Sequence, residues 1–354
     1  MSLPESFNNT FSGHGYKIHN VMASVPIVDF SAFTTAHHDA SDKAQTAREI
    51  DEAFRSVGFV YLRNHGVRQE SVAGCFERSR SFFALPADAK MQAPHPPGAS
   101  HHRGYSAPGL EKVSQHLYEG AEVKQARLVP DYKESFESGN VNDAAQPNIW
   151  LPDATLPGFR AQMEAFFHEC KVLVHRLLDA LSLALQVPGA GLSHTHAKSL
   201  FQLRILHYPP LAAEDLQHGR RSRINAHSDF GTLTLLFQDS VGGLEMEDLH
   251  SPGRFNAVPP VDQAVLVNVG DLMSRWSNER WKSTVHRVVS PPGGEGGMLP
   301  DRYSIPFFAT ADPDMVIEAL PGCWDAENPK KYPSVTAWEY VQMRMAALYE
   351  DAKE

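Results

Sequence analysis

His227-Ser228-Asp229-Phe230-Gly231-Thr232-Leu233-Thr234-Leu235-Leu236-Phe237 is the stretch on which the reading of this chain turns. From Thr232 onward it is β-branched and large apolar residues, the composition of a strand. Just before that run, a histidine and an aspartate stand two positions apart. Residues i and i+2 of a strand point to the same face. His227 and Asp229 can therefore grip one ligand from a single strand end while Ser228 faces away.

Working outward, His286 lies 57 residues beyond Asp229 (286 − 229). That is too far for a local motif, so it must return on another strand of the same barrel. Two imidazoles and one carboxylate form the facial triad of non-haem Fe(II) oxygenases, which leaves three adjacent coordination positions open. Arg302 follows His286 by 16 residues, and Ser304 shares its strand face. A guanidinium fork and a hydroxyl converging on one carboxylate suit an anchor for a dicarboxylic co-substrate. A lone His-x-Asp is cheap in a chain with 18 His and 42 acidic residues, and His37-His38-Asp39 is a decoy. With no apolar run beside it and no later His and Arg-x-Ser at matching distance, it is assigned to a solvated loop.

The order of elements predicts an α+β fold: a double-stranded β-helix (jelly-roll) core with supporting helices drawn mainly from the amino-terminal half. Residues 1–24 are read as an arm and 25–157 as a region of helices and short strands with a long loop over 101–157. Residues 158–311 are read as a long helix and the catalytic core, and 312–354 as a carboxy-terminal helical segment, all in one compact catalytic unit. Helices are expected over Ala47–Val57, ended by Gly58, over Ser71–Leu85 and over Phe159–Gln186. Strands are expected at Val25–Phe30, Phe59–Leu62, Phe201–Tyr208, Thr232–Gln238, Gly243–Glu247, Ala264–Val269, Thr284–Val289 and Arg302–Phe308. Within the long loop, Arg103 and Tyr105 are read either as a pocket edge or as loop packing. Asn268 and Asp271 are read as ligand-orienting or turn residues.

At 354 residues and 42% hydrophobic content the chain can bury a full core without staples. Cys75, Cys170 and Cys323 are too few and too scattered for a disulfide framework or a zinc site, which points to a reducing compartment. No apolar run approaches the roughly 20 residues of a membrane span, and the first residues lack a signal-peptide pattern. A cytoplasmic location is the expectation. The net charge of −10 argues against a nucleic-acid backbone as partner and leaves a small molecule as substrate. Composition does not fix the oligomeric state.

The chain also carries a family likeness in Leu203-Arg204-Ile205-Leu206-His207-Tyr208-Pro209, His227-x-Asp229, Asn268-Val269-Gly270-Asp271, His286-Arg287-Val288-Val289 and Arg302-Tyr303-Ser304. Their order resembles the isopenicillin-N-synthase-like group of Fe(II)/2-oxoglutarate-dependent dioxygenases. Arg103 to Gln115, Leu235 to Ser240 and Arg275 to Asn278 look most like the fungal thymine 7-hydroxylases. The resemblance implies Fe(II) on His227, Asp229 and His286, 2-oxoglutarate on Arg302 and Ser304 beside Tyr208, and O2 as second co-substrate. It further implies a substrate pocket using Arg204, Phe230 and Phe308, although Arg204 equally suits a structural ion pair.

The chain departs from the thymine enzymes at Phe230, where they have tyrosine. The missing hydroxyl permits a more apolar planar substrate. The expected activity is oxidation, by default hydroxylation, of a small planar or aromatic-like molecule, with release of succinate and CO2. A nucleobase and a fungal secondary metabolite both remain open as substrate. The alternatives are thymine hydroxylation specifically, an Fe(II) oxidase of the same fold that uses no 2-oxoglutarate, and a non-catalytic metal-loaded binding protein.

Overall fold

The computed structural model describes residues 24–97, 102–109, 131–187, 189, 191–218, 221–291 and 297–349. Nearly all of the expected arm at 1–24, and residues 110–130 of the expected long loop, lie outside the described residues.

Twelve strands make two sheets. They are β1 (Ile27–Asp29), β2 (Phe59–Arg63), β3 (Gly104–Ser106), β4 (Glu134–Gly139), β5 (Gln202–Tyr208), β6 (Ile224–His227), β7 (Leu233–Gln238), β8 (Leu244–Glu247), β9 (Phe255–Ala257), β10 (Val265–Val269), β11 (His286–Val288) and β12 (Arg302–Ala309). The larger sheet runs β1-β2-β10-β7-β12-β5-β4-β3 and the smaller β9-β8-β11-β6. Every pairing is antiparallel except β1 with β2. The helices that matter here are α1 (Ala40–Ser56), α2 (Gln69–Phe83), α3 (Phe159–Leu185), α4 (Asp271–Trp276) and α5 (Ala337–Tyr349).

The two-residue period sorts the larger sheet into two faces. On β5, Leu203 and Ile205 enter the main core, which also buries Met163, Phe166, Cys170, Val174, Leu177 and Leu181 of α3. Arg204, Leu206 and Tyr208 point the other way, into a cavity. On β12, Ile305 and Phe307 join the main core, while Arg302, Ser304, Pro306 and Phe308 line the cavity. A smaller apolar cluster joins the sheets, with Phe59, Tyr61, Leu206 and Leu266 from one meeting Leu244, Met246 and Val288 from the other. Each such side chain contributes about 1.5–3 kcal/mol on full burial, so the sheets are held together around the cavity rather than across it.

Local chemistry sets the helix ends. α1 starts seven residues earlier than its apolar period suggests, because the decoy residue Asp39 caps it and accepts from the backbone of Ser41 (2.7 Å) and Asp42 (3.0 Å). Gly58 follows with φ +74°, and a Cβ there would stand 2.2 Å from the Lys282 carbonyl oxygen. Two strands, β3 and β4, lie in the stretch expected to be loop. β4 reads Glu-Ser-Phe-Glu-Ser-Gly yet is buried throughout. Its carboxylates are satisfied from a distance: Glu134 accepts from Lys90 Nζ (2.8 Å) and Tyr105 OH (2.6 Å) and pairs with His207 Nδ1 (2.8 Å).

Candidate metal and co-substrate site

His227 ends β6, and His286 opens β11 directly opposite it. Their ring centroids are 4.4 Å apart. Asp229 lies just beyond the end of β6, and its Oδ1 is 3.9 Å from Nε2 of each histidine. One donor atom from each of the three falls within 4.8 Å of the others.

The surroundings leave those atoms free to ligate. Nδ1 of His227 meets the Asn225 carbonyl at 2.9 Å and Nδ1 of His286 the Thr284 carbonyl at 3.1 Å. Each Nδ1 therefore donates to a carbonyl, which turns each Nε2 toward Asp229. Burial, reinforced by repulsion from His286 and only partly opposed by Asp229, pushes the His227 imidazole down to about 3, so it is neutral at physiological pH. Burial pulls the Asp229 carboxyl upward. The two histidines, with donation from Asn268 and Thr234, overcome that and hold it below the usual range.

Asn268 Nδ2 (2.8 Å) and Thr234 Oγ1 (2.6 Å) both donate to Asp229 Oδ2, which turns Oδ1 toward the histidines. Asn268 and Thr234 are themselves register partners across β10 and β7. Gly270 lets the backbone close on this loop, since a Cβ there would lie 2.3 Å from the Gly231 carbonyl oxygen. Two imidazoles and an oriented carboxylate held below its usual range are a donor set that fits a divalent transition metal.

Across the cavity, Arg302 stands opposite Tyr208 in the β12–β5 register. Its guanidinium lies 4.8 Å from the Tyr208 ring centre and is only 1% exposed. Nε donates to the Gly242 carbonyl (2.8 Å), Nη1 to Ser304 Oγ (3.2 Å) and Nη2 to Gln238 Oε1 (3.2 Å). Arg302, Ser304 and Tyr208 share the cavity with His227, Asp229 and His286, and that cavity holds about 660 Å³.

Arg204, Phe230, Phe308 and Arg103 also line it. Arg204 is paired with its register partner Glu137 and lies 5.9 Å from the Phe308 ring centre. Arg204 thus makes the structural ion pair and also lines the cavity. Arg103 is tied down by Asp143 Oδ2 (3.0 Å), the Gln146 carbonyl (3.0 Å) and the His102 carbonyl (2.7 Å). It is a fixed edge rather than a reaching arm.

Tyr105 corrects the expectation. It does not border the cavity; its ring packs at 5.9 Å from Phe82, and its hydroxyl is consumed by Glu134. Two positions from Arg103 on an extended backbone it should share a face with it, but β3 begins only at Gly104, whose φ of +82° breaks the alternation.

The sequence left several neighbours unnoticed. Thr234, Lys133, Trp338 and Val341 all line the cavity, and Glu137 stands behind Arg204 as its partner. Arg223 stands 5.7 Å from the Tyr208 ring centre, with Nε and Nη1 lacking hydrogen-bond partners among the described residues. Register pairing with a recognised residue would have exposed Glu137, whereas α5 carries no local sign of where it docks. Asp271, expected as a turn residue, opens α4, and its backbone N–H donates to the Asp229 carbonyl (2.8 Å). A second trio, His95, His102 and Glu137, also brings donor atoms within 4.8 Å. Because Glu137 already holds Arg204, a cation there would have to displace a guanidinium.

Comparison with known proteins agrees with this geometry. Residues 200–311 match the profile of the 2OG-Fe(II) oxygenase superfamily, and residues 25–153 that of the non-haem dioxygenase in morphine synthesis N-terminal region. The 2-oxoglutarate-dependent dioxygenase frbA of Dothideomycetidae sp. (strain 11243) is 41% identical over 339 residues, covering 92% of this chain and 97% of the relative. Proline hydroxylase buaE of Petromyces alliaceus is 40% identical over 299 residues, covering 84% and 91%. The crystal structure of the full-length Neurospora crassa thymine 7-hydroxylase with alpha-KG and thymine superposes with a TM-score of 0.80 at 37% identity, covering 92% of this chain and 97% of that one. The chain belongs to the 2OG-Fe(II) oxygenase superfamily and is an Fe(II)- and 2-oxoglutarate-dependent dioxygenase.

Proposed function

We propose that in this superfamily member His227, Asp229 and His286 hold the Fe(II), Arg302 and Ser304 take the distal carboxylate of 2-oxoglutarate beside Tyr208, and Arg204, Phe230, Phe308 and Arg103 border the organic substrate. The observation that carries the metal assignment is the orientation of Asp229. Two donors occupy one of its oxygens while the other faces Nε2 of both imidazoles. The bound iron, with 2-oxoglutarate and O2, supplies the oxidising power, and succinate and CO2 leave as co-products.

The protein's own work is placement. Arg302, fixed by three acceptors and the Tyr208 ring, offers a rigid cationic anchor. Phe230 and Phe308 supply apolar surface. The Arg204 guanidinium, held by Glu137, is a flat positive platform on which a ring can lie. These features support hydroxylation of a small planar or ring-bearing molecule. The likeness to thymine 7-hydroxylase, seen with thymine, and to a proline hydroxylase supports a ring without choosing between them. Phe230 disfavours thymine, because it offers no hydroxyl to a polar ring edge.

The paired sheets are read as a double-stranded β-helix, with 25–157, 158–311 and 312–354 working as one catalytic unit. No helix among the described residues is long and apolar enough to cross a membrane. Three buried free cysteines support a reducing, cytosolic setting.

Anaerobic titration of the Fe(II)-reconstituted protein with 2-oxoglutarate, with and without thymine, tests the reading. A visible charge-transfer band on adding 2-oxoglutarate is expected, with little response to thymine. A band that shifts with thymine would restore the nucleobase reading. No band at all would overturn the co-substrate assignment in favour of an oxidase or a metal-loaded binder.

A further inference from the structure

Arg344 on α5 is 1% exposed, far from the metal ligands in sequence, and absent from every motif that marks the site. Its guanidinium reaches the loop on either side of Asp229, and Asp229 itself through Asp271. Nη2 donates to Ser228 Oγ at 3.4 Å. Nη1 pairs with Asp271, whose backbone N–H holds the Asp229 carbonyl at 2.8 Å. The guanidinium carbon sits 5.5 Å from the ring centre of Phe230, within cation–π range.

Asp271 is the hub. Besides Arg344 it accepts from Ser283 Oγ (2.5 Å) and Tyr340 OH (2.9 Å), with Ser228 Oγ at 3.5 Å. Residues three and four apart share a helix face, and on α5 this links Tyr340 and Val341 to Arg344. The same helix places Ala337, Trp338 and Val341 on the cavity wall. One helix thus walls the substrate end of the cavity and grips the loop that follows His227 and carries Asp229. Buried ion pairs contribute little net stability because desolvation offsets their attraction, and their better-attested use is to fix a register.

We propose that Arg344 is a positioning residue: it seats the carboxy-terminal helix on the 228–230 loop and so fixes the ring of Phe230, and with it the substrate face beside the metal. This rests on the iron and 2-oxoglutarate reading above. It predicts a specific split. Loss of Arg344 disturbs the space beside the metal and leaves the Arg302 anchor untouched, since the contacts that hold Arg302 come from Gly242, Ser304, Gln238 and Tyr208, none of them on α5.

The test uses full-length protein reconstituted with Fe(II) under anaerobic conditions, as wild type, Arg344→Ala, Arg344→Lys and Tyr340→Phe. The charge-transfer band reports the midpoint for 2-oxoglutarate. Nitric oxide, added to the 2-oxoglutarate complex, reports by electron paramagnetic resonance on the space facing Phe230. Hydrogen exchange of amides 337–344 reports on the helix.

The expected result is a 2-oxoglutarate midpoint within about twofold of wild type in every variant. The nitrosyl signal is expected to broaden in Arg344→Ala and largely recover in Arg344→Lys. Helix exchange should accelerate about tenfold in Arg344→Ala, equivalent to about 1.4 kcal/mol of local opening, and by less in Tyr340→Phe. Faster exchange with an unchanged nitrosyl signal would overturn the proposal, because Arg344 would then only staple the helix. Should Arg344→Ala fail to fold, wild-type behaviour of Tyr340→Phe in both readouts would overturn it. A wild type that gives no band with 2-oxoglutarate overturns the co-substrate reading and this proposal together, whereas a normal band with an undisturbed variant overturns this proposal alone.

Discussion

At the proposed metal and anchor end of the cavity, the residues face one another across paired strands: His227 and His286, Thr234 and Asn268, Tyr208 and Arg302. At the substrate end, Arg103 precedes β3, Phe230 comes from the loop after β6, and Trp338 from α5. The first set is fixed by ladder hydrogen bonds, and a one-residue slip would turn every member away from the cavity. The second set converges from segments whose only common feature is where they pack. On the proposed assignment, the chemistry sits where the backbone enforces geometry, and selectivity where tertiary packing sets it.

The strongest way to break this contrast is at the ligands. Asp229→Ala and His286→Ala should each abolish iron retention and turnover, with the far-ultraviolet dichroism of the fold preserved. Metal analysis after reconstitution decides it, and wild-type iron content in either variant removes that residue from the site. Arg302→Ala comes next. Losing charge-assisted hydrogen bonds of about 1.5–3 kcal/mol should raise the 2-oxoglutarate midpoint about 10–100-fold, with iron affinity unaltered. An unchanged midpoint would leave the anchor unassigned.

Asn268→Ala should cost less. Thr234 still holds Asp229 Oδ2, so iron binding is expected to weaken about tenfold, the lower end for a residue that orients a ligand. A double variant lacking both Thr234 Oγ1 and Asn268 Nδ2 should cost more than the two single changes added together, because only then is Asp229 free to rotate. Strict additivity, measured by iron titration, would show that the two donors act independently of ligand orientation.

The same contrast explains what the sequence disclosed. A two-residue period carries His227 with Asp229 and Arg302 with Ser304, so these were legible from spacing and residue type. The presence of α3 was legible from helical spacing, and that of β5, β7, β10 and β12 from their apolar and β-branched runs. β4 was not, because its glutamates are made buriable by Lys90, His207 and Arg204, partners more than 40 residues away in sequence. Tyr105 left two readings open because a tyrosine near an arginine in a Gly- and Pro-rich loop suits a pocket edge as well as packing, and only the turn at Gly104 sends it into the core. Arg344 gave no sign at all: an arginine in a helix of low amphipathicity reads as a solvated residue until Asp271 is placed beside it.

The smallest expected effect is also the sharpest on the contrast. Phe230→Tyr adds one hydroxyl on the substrate side, next in sequence to Asp229 but outside the hydrogen bonds that orient it. If the two ends are independent, iron retention and the 2-oxoglutarate midpoint should stay within about twofold of wild type. The new hydroxyl would then give the wall a polar handle worth about 0.5–1.5 kcal/mol to a ring that can use it, or about two- to tenfold in affinity. Thymine, expected to leave the wild-type charge-transfer band nearly unmoved, should shift it in this variant. Were the variant instead to weaken 2-oxoglutarate binding severalfold while remaining blind to thymine, Phe230 would belong to the metal end. The boundary between enforced geometry and packed specificity would then have to be drawn beyond it, at Arg204 and Phe308.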